Sequence, residues 1–197
     1  MLLRLFAGLA LILLSAVATG GLMAAFGGGV TRGEFVDVGG RKLRLVCAGP
    51  VGAPGPLVWF EAGAFGMAED FAVIQARLAA SGVRSCAYDR AGLGFSDPGP
   101  EPRDGEAILA DRDALMAAKG IDGPVVLVAH SMAGLHARLW AARRPEQMVG
   151  LVLVDAAGPE AGQVPEARQW IAGFRAFANA AAVAARLGLL KPIAPFA

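Results

Sequence analysis

The chain has 197 residues, enough for one domain and too few for two of ordinary size. Hydrophobic residues make up 55% and charged residues 18%, which excludes a disordered chain. Eighteen Lys and Arg against 17 Asp and Glu leave a net charge of +1 with no basic block, so no nucleic-acid partner is expected.

Leu5 to Gly29 contains no charged residue, and Arg4 precedes it. Its centre, "LFAGLALILLSAVATGGLMAAF", covers 22 residues, the length that crosses a bilayer core as a helix. Two readings stand side by side. A cleaved signal peptide would use Leu5–Leu14 as its apolar region and Ala16-Val17-Ala18 as its small-residue site. An uncleaved anchor would use the apolar run that continues to Phe26. Either places the rest of the chain across a membrane, anchored there or secreted to an extracellular or periplasmic space, with Arg4 left inside.

After the Gly27-Gly28-Gly29 linker, two alternating runs flank Gly39-Gly40 and predict a β-hairpin. "PLVWFEAG" (56–63) predicts a buried strand. Residues 69–80 predict a helix with Phe71, Ile74 and Leu78 on one face, stopped by Gly82. "VRSCAYDRAG" is the next strand, and Pro98, Pro100 and Pro102 mark a loop. Residues 104–119 predict a helix with Ile108, Leu115 and Ala118 on its stripe and Gly120 as its stop. "GPVVLVAHS" is a strand, Gly134–Arg144 a helix ended by Pro145, and "MVGLVLVDAAG" a strand again. Apolar strands alternating with helices predict an α/β fold with a mostly parallel sheet covered on both faces. Beyond Pro159 the chain turns Ala-rich and helical.

"VAHSMAG" sets Ser131 between Ala129 and Ala133, at a strand-to-helix switch. A serine hydroxyl is a weak nucleophile, and a sharp turn that exposes it tolerates only small residues two before and two after. Alanines meet that size rule here, where glycines are usual. The plainer reading is a serine that caps the following helix.

Three motifs in order, "FEAGAFG", "YDRAGLGFSD" and "AHSMAG", with "LVLVDAAGPE" as a softer fourth, make the chain resemble the α/β-hydrolase superfamily, in its esterase and prolyl iminopeptidase-like branch. The resemblance covers roughly residues 34–160. It implies a core over 30–159, preceded by the signal peptide or anchor of 1–29. It also implies the start of an inserted helical lid at 160–197. Ser131 would be the nucleophile, with the backbone N–H groups of Met132 and Ala64 as oxyanion donors. Ala62-Gly63 stands where many members carry His-Gly. Tyr88, Asp89 and Arg90, with Gly92, Gly94, Ser96 and Asp97, are expected to shape their loop. The family's sheet order sets the second and fourth strands side by side, so Cys47 and Cys86 could meet in a disulfide.

The base is missing from this pattern. The family order is Ser, then acid, then His, and no histidine follows His136. His130 and His136 lie too close to Ser131 in sequence to match, and Asp155 comes one strand earlier than the acid of most relatives. The chain therefore reads as a serine hydrolase for a small-molecule acyl substrate that ends before its acid and base. The other reading is an exported, non-catalytic binding protein on the same fold. No metal cluster, phosphate loop or cofactor motif is present in the sequence, so no cofactor is expected.

Overall fold

The structure is a computed structural model that describes residues 32–166, 168, 169, 171–173, 176, 177 and 180. The segment read as signal peptide or anchor lies outside the described residues, as does much of the stretch read as a lid. No helix among the described residues is long and apolar enough to cross a membrane. The sheet-bearing unit spans Arg32–Ala161. The described residues between 165 and 180 belong to another unit and are helical.

Among the described residues, six strands form one sheet. They are β1 (Glu34–Asp37), β2 (Lys42–Ala48), β3 (Leu57–Glu61), β4 (Ser85–Tyr88), β5 (Val125–His130) and β6 (Met148–Val154), in the order β1-β2-β4-β3-β5-β6. The first two pairings are antiparallel and the other three parallel. The β1–β2 hairpin turns on Gly39 and Gly40, both at positive φ (93° and 85°), which is why a Gly-Gly pair sits there. The Asp37 carboxylate accepts both of their N–H groups, and these bonds hold its pKa below the usual carboxylate range.

Among the described residues, three α-helices cover the sheet: α1 (Ala72–Ala80), α2 (Gly105–Ala118) and α3 (Ala133–Arg143). Helix α1 lies on the face carrying Val46, Phe60 and Ala87, where Phe60 and Phe71 stack at 4.6 Å. Helices α2 and α3 cover the other face, where Trp59, Cys86, Tyr88, Leu127, Ala129 and Trp140 pack. Asp104 caps α2 by accepting the Ala107 N–H, and Gly120, at φ 62°, ends it.

Two helical stripes differ from the sequence reading. The helix expected at 69–80 begins as a 3-10 turn at Ala68–Phe71, and Ile74 is exposed. The buried position of α1 is Gln75, because its amide donates to the carbonyls of Val46 and Ser85 where α1 crosses the sheet. In α2, Ala118 is exposed while Asp111 and Arg112 are buried beside Ile108 and Leu115. Both charged residues have partners: Asp111 takes Arg41 and Arg103, and Arg112 takes Glu61.

Cys47 and Cys86 are register partners on β2 and β4 and form a disulfide. The expected pairing is present.

Candidate active site

The carboxyl ends of β3, β5 and β6 converge, the place where open parallel sheets bind ligands. Ser131 follows β5 there at φ +54°, in the left-handed region that a non-glycine residue occupies only at a cost of roughly 1–3 kcal/mol. Its neighbours hold it. The Ser131 N–H donates to the Val154 carbonyl at 3.2 Å, and the Ser131 carbonyl accepts from Gly134 N–H (3.0 Å) and Ala157 N–H (2.9 Å).

The crowding explains the small residues. Ala129 and Ala133 are completely buried. A Cβ on Gly134 would lie 2.7 Å from the Ala157 carbonyl oxygen and 2.8 Å from the Ala156 methyl. Arg138 then staples this junction, donating to the carbonyls of Gly134 and Ala157. On the other side, a Cβ on Gly63 would lie 3.1 Å from both Ser131 Cβ and His130 Nδ1. Gly63 thus lets the loop after β3 press against the serine.

Met132 begins α3 and Ala64 lies one residue beyond Gly63. Among the described residues, neither the Met132 N–H nor the Ala64 N–H has a protein acceptor. The Ser131 hydroxyl likewise makes no hydrogen bond among the described residues, to either histidine or to any other group.

Neither histidine makes a hydrogen bond to the Ser131 hydroxyl. His130 is exposed on the strand side of the turn. His136 is 7% exposed within α3, its Nδ1 has no partner among the described residues, and burial pushes its pKa down. Asp155 follows β6 at φ +43°, exposed and without an ion pair among the described residues.

Beneath the serine lies a polar centre that the sequence reading passed over. Glu61, the last residue of β3, is fully buried and accepts from Arg112 at 3.1 Å, Tyr88 at 3.2 Å and Trp59 at 3.3 Å. The Arg112 guanidinium lies over the Trp140 ring at 3.9 Å. Burial, with Glu61 adding to it, raises the Tyr88 phenol well above its ordinary value. A lone acid inside the apolar run "LVWFE" was the available signal for this centre.

Asp89 shapes its own loop, as expected, whereas Arg90 reaches across to the loop after β3. Asp89 accepts from Ala68 N–H, Phe95 N–H and Arg44, and a Cβ on Gly94 would fall 2.3 Å from its Oδ2. Arg90 donates to the carbonyls of Ala62, Gly63 and Ala64. A cavity of about 250 Å³, lined by Asp113, Ile121 and Arg144 among others, lies at the opposite ends of the strands, away from Ser131.

The family model described as "alpha/beta hydrolase fold" matches residues 56–188. An esterase from Exiguobacterium antarcticum is similar, with a TM-score of 0.57 and 26% identity over 64% of this chain and 46% of that one. An epoxide hydrolase from Vigna radiata is similar with a TM-score of 0.55 and 25% identity, over 64% of this chain and 40% of that one. Among curated sequences, "Probable transporter efuK" of Hormonema carpetanum is 33% identical over 128 residues, 62% of this chain and 18% of that protein. The chain therefore spans less than half the length of either enzyme and less than a fifth of the curated protein.

Proposed function

The chain belongs to the alpha/beta hydrolase fold family, and from that premise we propose that Ser131 is the nucleophile of a hydrolase acting on an ester or related acyl substrate. One observation carries the reading. Among the described residues, Ser131 alone joins a strained, left-handed backbone to a serine hydroxyl without a hydrogen bond, with the Met132 amide next in the chain and the Gly63 loop packed against it. The likeness to an esterase at 26% identity supports the choice of substrate class.

In the proposed reaction the Ser131 oxygen bonds to the substrate carbonyl carbon and its proton passes to a base. The Ala64 and Met132 N–H groups stabilise the developing oxyanion. The alcohol leaves with a proton, and water then cleaves the acyl-enzyme. The described residues supply the nucleophile and the donors. A base, and an acid that orients it, are not assigned among the described residues, and the 197-residue chain by itself is proposed to be inactive. The share of each relative that the chain spans supports this reading. Export, as a membrane-anchored or secreted protein, accords with the Cys47–Cys86 disulfide, a bond that persists in oxidising compartments.

The free Ser131 hydroxyl also favours a second reading, a non-catalytic binding protein that keeps the fold. A fluorophosphonate probe applied to the product of the complete open reading frame separates the two. One label per chain, lost in Ser131→Ala, is the expected result. A folded protein that takes no label leaves the second reading.

A further inference from the structure

We propose that Arg90 is a positioning residue for the oxyanion loop, aiming the Ala64 N–H at the carbonyl under attack; the functional half of this proposal rests on the Ser131 reading above. Arg90 is 5% exposed. Its Nη1 donates to the Ala62 carbonyl at 2.5 Å, and its Nη2 donates to those of Gly63 at 2.5 Å and Ala64 at 3.1 Å. Among the described residues it has no carboxylate partner, unlike the buried Arg44, which has two (Glu69 and Asp89), and Arg112, which has Glu61. A buried charge is costly to keep without a counter-ion. Here the charge is offered to three successive carbonyls of one loop.

The consequence follows from peptide geometry. The Gly63 carbonyl and the Ala64 N–H belong to one planar trans unit, so they point in opposite directions. Holding the carbonyl on the guanidinium turns the N–H away from Arg90. Gly63 is the residue that abuts Ser131, with room for no side chain. Turning that peptide over would take an acceptor from Arg90 and from the Gly66 N–H, which donates to the same oxygen at 3.2 Å. It would also present an oxygen where a donor is required. Ala62 has no polar side chain to brace the loop, so the brace comes from Arg90, two residues past the end of the neighbouring strand β4.

The test uses the product of the complete open reading frame, with p-nitrophenyl acetate as substrate and a trifluoromethyl ketone as oxyanion mimic. Arg90→Ala is expected to lower kcat roughly 100-fold with KM changed less than about twofold, and to weaken the ketone in proportion. Arg90→Lys, which keeps the charge but offers a point donor in place of a planar fork, is expected to lose about tenfold. Added methylguanidinium should restore part of the Arg90→Ala rate, and deuterium uptake over residues 62–66 should rise in both variants. A wild-type kcat in Arg90→Lys overturns the proposal, as does a lower kcat with unchanged loop uptake or an equal change in kcat and KM. If Ser131→Ala stays active, the nucleophile reading fails, while loop uptake alone still decides whether Arg90 holds the loop.

Discussion

Strands β5 and β6 are neighbours of similar composition, yet one is largely buried and the other is open. In β5, "VVLVAH", Val125, Leu127 and Ala129 are fully buried under α2 and α3. In β6, "MVGLVLV", residues Leu151 to Val154 are 38–47% exposed, and the far edge of the strand has no partner among the described residues. The difference shows that apolar sequence makes a strand, but only covering layers make it core. It also divides the candidate site. The β3–β4–β5 side is braced by a buried ionic centre and by Arg90, whereas β6 and the segment after it contribute main-chain contacts through Val154 and Ala157.

Breaking the braced side should have the largest effect. Arg112→Met leaves Glu61 fully buried without its ion-pair partner, with only Tyr88 and Trp59 as donors. It should lower unfolding free energy by about 3–5 kcal/mol in urea titration. A loss below about 1 kcal/mol would mean that the centre is not held by the ion pair. A smaller, pH-dependent effect should come from His136. Burial lowers its folded pKa below the unfolded value near 6.5, so its contribution is present above that pH and is lost as pH falls through it. Melting temperatures between pH 7.5 and 5 should therefore fall more steeply in the wild type than in His136→Gln, and parallel curves would remove His136 as a cause. The open side should respond least. Val152→Lys should change stability by less than about 0.5 kcal/mol in the 197-residue chain, since the side chain is already 47% exposed. A large loss there would show that β6 is covered in solution.

The fold was legible wherever local steric rules act alone. Gly39-Gly40 announced the hairpin, and Ala129, Ala133 and Gly134 announced the tight turn at Ser131. The parallel sheet followed from the alternation of strands and helices. What escaped were positions fixed by distant partners. Gln75 is buried because two strand carbonyls await it, while Ile74 beside it faces out. Arg44 and Arg112 look like surface residues in sequence, and become interior only once their partners arrive from elsewhere. Arg90 was readable as a loop-shaping residue. Which carbonyls it takes was not, because they lie 26 to 28 residues away.

The Cys47–Cys86 bond also acts as a proofreader of assembly. The two cysteines meet only if β2 and β4 pair in the observed register, and a slip by one residue would turn the sulfurs to opposite faces of the sheet. The 39-residue separation contains β3 and α1, so closing it encloses the strand that carries Glu61 and leads into the Gly63 loop. Oxidation thus certifies the alignment of the strands on which Arg90 and its loop depend, before any substrate is met.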